Sequence, residues 1–174
     1  MEHPDHVALL RRGVATTGGV WADFGAGRGA FTLALAELLG GGATIYAIDR
    51  DRGDLRRNAE AMRTRFPDVD AHYLVDDFTS ALDLPALDGL VMANSLHFQR
   101  DQAPVLDLLR GYLRPGGRML VVEYNIERGN AAVPYPAPFE RWRQLAHATG
   151  FEHAELLAQR PSRTLAEIYS AAAW

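Results

Sequence analysis

The sequence predicts an α/β domain with a doubly wound, mostly parallel sheet, helices on both of its faces and an antiparallel hairpin at its C-terminal edge. Two observations support this fold class. Short apolar runs alternate with helical patterns along most of the chain, which is typical of parallel strands joined by crossover helices. After the last helical pattern, two apolar runs are separated only by residues 160–163, too few for a crossover helix, so these strands must be antiparallel. Together with five earlier strands they give a seven-stranded sheet.

The first three strands are apolar runs that end at turn signals or acidic residues. They are predicted over 20–24, 44–48 and 71–75, after a short N-terminal cap helix within 1–19. A glycine-rich turn follows the first strand and opens a helix over about 29–39, which a run of three glycines ends. The next helix is marked by one apolar stripe with spacings of four, three and four residues, at Leu55, Ala59, Met62 and Phe66.

The second half continues this alternation and then departs from it. A fourth strand is predicted over 89–93 and a fifth over 118–124, with a turn at 114–117 before the fifth. One helix lies between them, and its apolar stripe consists of Val105, Leu108, Leu109 and Tyr112. A proline-rich stretch leads to a last helix from Phe139, which ends at Gly150. The hairpin strands are predicted over 151–159 and 164–172.

The composition excludes several kinds of chemistry. The 174 residues correspond to one domain, and they include no cysteine and no lysine, because all 18 basic residues are arginine. The chain therefore has no cysteine nucleophile, thiolate metal site or Schiff-base lysine, and we expect no metal site. The net charge of −4 argues against a nucleic-acid partner. With no signal peptide or apolar run of membrane-spanning length, we expect a cytoplasmic protein without a membrane partner. The oligomeric state is not predicted.

A glycine-rich turn, Gly25 to Gly29, carries the first functional signal. Glycines let the backbone approach a ligand closely, and the N-terminus of the following helix offers unpaired N–H groups. Gly25, Gly27 and Ala30 also fit the dinucleotide pattern G-x-G-x-x-[GA], so an NAD(P)-dependent oxidoreductase stays open. Asp23 favours a different ligand, because a carboxylate stands where a dinucleotide-binding strand is normally apolar, and it suits a cationic amino group. The predicted hairpin also differs from a dinucleotide domain, which would continue with parallel strands.

Acidic residues end the second and third strands. Asp49 lies 20 residues after Gly29, where a carboxylate can accept both hydroxyls of a ribose. Alternatively, Asp49 only begins the next helix, since acids are favourable at a helix N-terminus. Asp77 has a similar alternative as the cap of a short turn before Thr79.

These features together resemble the class I S-adenosylmethionine-dependent methyltransferases over essentially the whole chain. The matching pieces are the run 23–29 with its three glycines, Asp49 after the second strand, Asp77 and Phe78 after the third, the run 88–94 through the fourth, and the run 113–117 before the fifth. The resemblance implies a Rossmann-like fold, a cofactor-binding half over 20–124, and a substrate side over 125–174 that contains a loop, a helix and the hairpin.

The resemblance also implies a cofactor site. Its residues would be Asp23, Gly25, Ala26, Gly27, Gly29, Asp49, Arg50, Asp77, Phe78 and Asn94. The first two glycines would line the methionine portion, with Asp23 helping to fix it, and Asp49 would hold the ribose. Asp77 would accept a hydrogen bond from the adenine amino group, with Phe78 against the ring. The backbone carbonyl of Asn94 would lie near the sulfonium or the amino group.

The implied reaction is a direct displacement that leaves S-adenosylhomocysteine as the product and depends mainly on alignment of the reactants. His97 is the candidate base for an acceptor that carries a proton, or else a packing residue. We expect His97, Tyr124 and Tyr135 to line the pocket of a small-molecule acceptor, although both tyrosines are equally interpretable as packing residues. The run 94–98 departs from the Asn-Pro-Pro-Tyr type motif, which argues against amide and adenine acceptors.

Two further alternatives are open. One is an aminopropyl transferase, since such enzymes have the same fold. That family, however, carries an aspartate at the end of strand four, where this chain has Asn94. The other alternative is a cofactor-binding module that no longer catalyses transfer and acts with a partner protein.

Overall fold

The computed structural model describes residues 1–162 and 167–174. The helices are α1 (His3–Leu10), α2 (Ala30–Leu39), α3 (Arg52–Arg65), α4 (Ala103–Arg110) and α5 (Phe139–Ala148). The strands are β1 (Val20–Phe24), β2 (Thr44–Asp49), β3 (Asp70–Val75), β4 (Leu87–Ala93), β5 (Leu113–Tyr124), β6 (Ala154–Pro161) and β7 (Glu167–Ala173), and a single 3₁₀ turn covers Leu96–Phe98.

The strands form one seven-stranded sheet in the order β3-β2-β1-β4-β5-β7-β6. β3, β2, β1, β4 and β5 are parallel, whereas β7 is antiparallel to both β5 and β6. The predicted fold class is therefore confirmed, including the C-terminal hairpin. The strand order reverses between β1 and β4, and in open α/β sheets this is where ligands bind, beyond the carboxyl ends of the strands.

Each face of the sheet is covered by its own apolar core. The side chains of β4 alternate between these cores, with Val91 on the face covered by α1, α2 and α3 and Leu90 on the face covered by α4 and α5. Trp142 and Tyr169 are the largest side chains that are fully buried, and both belong to the second core. With both faces covered, the strand ends are the part of the sheet that remains open to a ligand.

β4 begins at Leu87, two residues before its predicted start, and two other strand starts are wrong by three or more residues. β5 begins at Leu113 rather than at Arg118, because the turn-forming residues 114–117 lie inside the strand. Between the pairs Leu87–Leu113 and Gly89–Arg118, β4 advances by two residues and β5 by five, so three residues bulge out. β6 begins at Ala154, since the preceding residues complete the end of α5, where the Phe151 N–H bonds to the carbonyl of Ala146.

The predicted connection 160–163 is only partly described. Arg160 and Pro161 belong to β6, whereas Arg163 and the predicted strand start at Thr164 lie outside the described residues. β7 is described from Glu167 onward.

The N-terminal helix is held by the C-terminal hairpin. The Ser170 hydroxyl of β7 donates to the carbonyl of Leu9 at 2.6 Å, and Arg160 of β6 forms an ion pair with Asp5 at 3.2 Å. α1 also packs against α2 through the first core, in which Leu9 is fully buried. Within the two described ranges, no helix is both long and apolar enough to cross a membrane.

Candidate functional site

A cavity of about 530 Å³ lies beyond the carboxyl ends of the parallel strands, where the strand order reverses. Its volume is within the range of small-molecule sites. Its wall contains six of the ten predicted cofactor residues, namely Gly25, Asp49, Arg50, Asp77, Phe78 and Asn94. The remaining wall residues are Asp76, Thr79, Ser95, Phe98 and Gln99.

The glycine turn after β1 is shaped by close contact with the segment after β4. The backbone of Gly25 has a φ of +78°, and a Cβ at this position would lie 2.6 Å from the Cβ of Ser95. Only glycine fits such a contact in the left-handed region without strain. The N–H groups of Gly25 and Ala26 donate to the carbonyl of Ile48, so the turn is fixed to the end of β2.

Asp49 ties this turn to the start of α3. One carboxylate oxygen accepts from the N–H of Gly27 and the other from the N–H of Asp51, each at 2.8 Å. The N-cap of α3 is Asp51, whose carboxylate accepts from the N–H groups of Gly53 and Asp54. These hydrogen bonds, first that from Asp54, lower the pKa of Asp51. Asp51, and not Asp49, is therefore the residue that caps α3. Asp49 lies in the cavity wall, and its carboxylate can accept further hydrogen bonds beyond these two.

Asp77 and Phe78, which follow β3, line the same cavity. Oδ1 of Asp77 accepts from the N–H of Thr79 at 2.9 Å and from its hydroxyl at 2.8 Å, so the expected turn cap is present. These bonds, the backbone one foremost, lower the pKa of Asp77 and keep its carboxylate ionised. Both bonds involve Oδ1, and Oδ2 is the oxygen that could bind a ligand amino group.

Asn94 is held in an uncommon conformation at the end of β4. Its φ is +52°, the only positive value of a non-glycine residue in the described ranges. Its N–H donates to the carbonyl of Val122 at 2.8 Å, and its side-chain Oδ1 is buried without a hydrogen-bond partner. Strained backbone and an unpaired buried oxygen, both at a cavity wall, are typical of a ligand-binding position.

Asp23 lies behind the glycine turn rather than in the cavity wall. Its side chain is 1% exposed and accepts a hydrogen bond from the hydroxyl of Thr32 at 2.6 Å. Thr32 in turn accepts from the side-chain amide of Asn58 at 2.9 Å. Burial raises the pKa of Asp23 to about 7, against the lowering effect of the Thr32 hydrogen bond.

His97 forms a buried pair with Glu123 at the end of β5. The imidazole Nδ1 and the carboxylate Oε2 are 2.6 Å apart, and the His97 backbone N–H donates to Oε1 at 3.2 Å. His97 is 2% exposed and Glu123 is fully buried. The charge of Glu123 adds to burial in raising the pKa of Tyr169 well above its ordinary value. The ring centroid of His97 lies 4.4 Å from that of Phe98, which lines the cavity.

The two tyrosines predicted for the acceptor pocket surround this histidine. The ring of Tyr124 lies 6.2 Å from the His97 ring, and the Tyr135 N–H donates to the His97 carbonyl at 3.0 Å. Gln102 fixes the same loop by donating to the carbonyl of Tyr135 at 2.8 Å. Tyr135 is 38% exposed and Phe98 is 54% exposed, so two aromatic rings border this corner of the site.

The structure thus brings together only part of the predicted site. Within the described residues, the cavity wall excludes Asp23, Ala26, Gly27 and Gly29 of the predicted cofactor set, and His97, Tyr124 and Tyr135 of the predicted acceptor set. The partner of His97, Glu123, was not predicted from the sequence. A signal was present, because Glu123 is an acidic residue within an apolar strand and must find a buried partner. Within the same residues, no cluster of three or more histidines and acids could hold a metal ion.

Comparison with known families decides between the possible cofactor folds. The profile of a family described as a methyltransferase domain matches residues 22–119, more than half of the chain. The chain belongs to this methyltransferase family. The resemblance seen in the sequence is therefore confirmed, and β7 between β5 and β6 distinguishes the sheet from the all-parallel order of a dinucleotide-binding domain. No curated protein matches the sequence.

Solved structures share this methyltransferase fold at low sequence identity. The YcgJ protein of Bacillus subtilis has a TM-score of 0.78 and 11% identity, over 98% of each chain. A 1,6-didemethyltoxoflavin-N1-methyltransferase of Burkholderia thailandensis, solved with 1,6-didemethyltoxoflavin and S-adenosylhomocysteine, has a TM-score of 0.75 and 21% identity, over 98% of this chain and 77% of its own. The arsenic(III) S-adenosylmethionine methyltransferase of Chlamydomonas reinhardtii has a TM-score of 0.72 and 17% identity, over 90% of this chain. This chain spans 63% of that algal protein.

Proposed function

We propose that the protein transfers a methyl group from S-adenosylmethionine to a small-molecule acceptor. The observation that carries this proposal is that Gly25, Asp49, Asp77 and Asn94 converge on one cavity at the strand-order reversal of a methyltransferase fold. The cofactor is that of the family, and S-adenosylhomocysteine is its product. The neighbour from Burkholderia, solved with a small heteroaromatic acceptor, supports an acceptor of the same size class.

The residues present fit this cofactor. The volume of about 530 Å³ is in the range of pockets for ligands of this size. The wall offers one carboxylate for the ribose hydroxyls, at Asp49, and one for the adenine amino group, at Asp77, with Phe78 against the ring. Gly25 leaves room for the methionine portion, and the backbone carbonyl of Asn94 in the cavity wall can receive an N–H group. Residues 20–124 thus hold the cofactor, and 125–174 contribute to the acceptor side.

The chemistry needs little beyond alignment. When bound, S-adenosylmethionine supplies a methyl group on a sulfonium, a leaving group that needs no further activation. The protein's task is to hold the acceptor in line and to exclude water, and well-oriented reactants gain much of the rate in this way. The exposed rings of Phe98 and Tyr135 provide apolar surface for an acceptor beside the cavity.

For an acceptor that must lose a proton, we assign the base to His97. The Nδ1–Glu123 hydrogen bond of 2.6 Å fixes the tautomer with the proton on Nδ1, so Nε2 is the nitrogen that remains to take a proton. The ring of His97 is adjacent to that of Phe98 in the cavity wall, with 4.4 Å between the ring centroids, and this proximity supports the assignment. General-base catalysis of this kind contributes about 10²–10⁴-fold.

Binding by titration calorimetry tests the cofactor assignment. We expect heat with S-adenosylmethionine and S-adenosylhomocysteine and none with NAD. Heat with NAD alone would overturn the proposal. Asp49→Ala, which removes the ribose acceptor, serves as the matched variant, and Asp76→Ala controls for the loss of one acidic charge from the same cavity wall.

Transfer itself is tested by mass spectrometry after incubation with panels of phenols, amines and carboxylic acids. A new product heavier by one methylene group supports the enzyme. Cofactor binding without any product over the panels would favour the alternative of a non-catalytic binding module. For a phenolic acceptor, His97→Gln should lower kcat by about 10²–10⁴-fold at neutral pH, and the loss should shrink at alkaline pH, where the phenol ionises without a base. An unchanged pH profile would refute the role of His97.

A further inference from the structure

A buried chain of hydrogen bonds runs under the glycine turn and joins three elements. It starts at Asn58 on α3, whose Nδ2 donates to the hydroxyl of Thr32 on α2 at 2.9 Å. That hydroxyl donates to Oδ2 of Asp23 on β1 at 2.6 Å. Asn58 and Thr32 are fully buried and Asp23 is 1% exposed, so water does not compete for these bonds.

In this arrangement of hydrogen bonds, the donor and acceptor roles of Asn58, Thr32 and Asp23 are fixed. An amide N–H group donates and cannot accept, so the Asn58 bond uses a lone pair of the Thr32 oxygen. The single hydroxyl proton of Thr32 is then left for Asp23. Without Asn58, this bond no longer holds the Thr32 oxygen, and the hydroxyl can rotate its proton away from Asp23. Asn58 therefore directs the Thr32 proton to the carboxylate.

The hydrogen-bond chain and the glycine turn are in close contact at Gly29. This residue precedes α2 with a φ of +91°, and a Cβ on it would lie 2.5 Å from Oδ1 of Asn58. The last glycine of the turn thus makes room for Asn58. Asn58 also has a recognisable place in the sequence, three residues after Leu55 and four before Met62, on the buried face of α3.

We propose that Asn58 and Thr32 are positioning residues that hold Asp23 as an ionised carboxylate behind the glycine turn, where its negative charge attracts the cationic amino group of the cofactor. This inference rests on the proposed function, because it assumes that the cofactor's methionine portion lies against the glycine turn. Thr32, Asn58 and Asp23 do not line the cavity, so the two positioning residues act on the cofactor only through the charge of Asp23.

The electrostatics of Asp23 make such a device necessary. Burial, with a smaller contribution from the negative charge of Asp49 at the end of β2, raises its pKa to about 7. The Thr32 hydrogen bond acts in the opposite direction, because it stabilises the charged form. On the helix side, the groups that face Asp23 through this chain, Thr32 and Asn58, carry no charge. The hydrogen bond is thus the local force that favours an ionised Asp23.

Two variants on different helices test the inference, Thr32→Val and Asn58→Leu. For each, the Kd of S-adenosylhomocysteine and of 5′-methylthioadenosine, which lacks the amino-acid portion, is measured by calorimetry between pH 5.5 and 8.5. We expect both variants to bind S-adenosylhomocysteine about 10-fold more weakly at pH 7, with the midpoint of the pH dependence about one unit higher. The Kd of 5′-methylthioadenosine should change by less than about 2-fold, because this ligand has no amino-acid portion that could interact with Asp23.

The controls separate positioning from packing. Thr32→Ser keeps the hydroxyl and should retain the wild-type midpoint, and Met62→Leu changes a buried apolar residue on the same face of α3. An unchanged midpoint in both test variants would overturn the inference, as would equal weakening of the two ligands. If the wild-type protein binds neither ligand, the proposed function fails instead, and this result is distinct from either outcome for the variants.

Discussion

Replacing the first and second glycines of the turn by alanine should have unequal effects, although both have positive φ. Gly25 has a φ of +78° and Gly27 of +50°. A Cβ at Gly25 would lie 2.6 Å from the Cβ of Ser95 and 2.8 Å from its hydroxyl oxygen, whereas a Cβ at Gly27 would meet no atom within 4 Å. The pair therefore separates the cost of the backbone conformation from the cost of the contact.

The magnitudes follow from these two terms. A left-handed backbone costs a non-glycine residue about 1–2 kcal/mol, and this term applies to both variants. Overpacking at a rigid contact adds about 1–3 kcal/mol, and it applies only to Gly25→Ala. The entropy that alanine removes from the unfolded chain is the same in both. We therefore expect Gly25→Ala to lower the free energy of unfolding by about 1–3 kcal/mol more than Gly27→Ala does.

Urea unfolding of the ligand-free protein measures this difference, with the midpoints compared at equal m-values. Ser95→Gly provides the control, since it removes the Cβ that the new alanine would meet. It also removes the hydroxyl that donates to the Phe24 carbonyl at 3.0 Å, so a double-mutant cycle is needed to isolate the contact. Equal destabilisation by the two alanines, or no coupling between Gly25→Ala and Ser95→Gly, would refute the steric argument.

Three further outcomes are expected. Asp49→Ala should weaken the binding of S-adenosylhomocysteine by about 1–3 kcal/mol through the loss of a charged acceptor, measured by calorimetry; unchanged affinity would remove Asp49 from the site. Burial raises the pKa of Asp23 from its ordinary value of 3.8 to about 7. Between these two pH values the folded state keeps a proton that the unfolded state has released. The contribution of Asp23 to the free energy of unfolding therefore falls as pH rises from about 4 to 7. Asp23→Asn should remove that slope from the difference in unfolding free energy relative to wild type, and an identical slope in both proteins would contradict the raised pKa. Tyr169→Phe should cost about 0.5–1.5 kcal/mol in urea unfolding, because the Ala137 carbonyl loses the hydroxyl that donates to it at 2.6 Å; no change would mean that water replaces the bond.

The sequence was sufficient to predict the fold because local patterns and topology agree in this family. Strand ends coincide with acidic or polar residues such as Asp49 and Asn94, and the short connection after β6 requires an antiparallel hairpin. The start of β5 was mispredicted for a local reason. Proline and two glycines at 115–117 are typical of a turn, and only the pairing of Leu113 with Leu87 reveals that the strand begins before them.

The polar contacts of the site were less accessible. The His97–Glu123 pair joins residues 26 positions apart, and the Thr32–Asn58 bond also spans 26 positions, so each depends on the packing of two elements. Periodicity places Asn58 on a buried face, but it does not say which side chain it meets. Burial likewise explains why Asp23 was predicted at the cofactor yet lies behind the turn: a strand position is known from sequence, whereas the depth of its side chain is not.

The contact between α1 and the hairpin has a consequence for the protein's synthesis. Leu9 receives a hydrogen bond from Ser170, 161 residues later in the chain. At translation rates of about 5–20 residues per second, the ribosome needs about 10–30 s to make the intervening segment. During this interval α1 lacks its contacts with β6 and β7, and its contact with α2 is the main one that can already form.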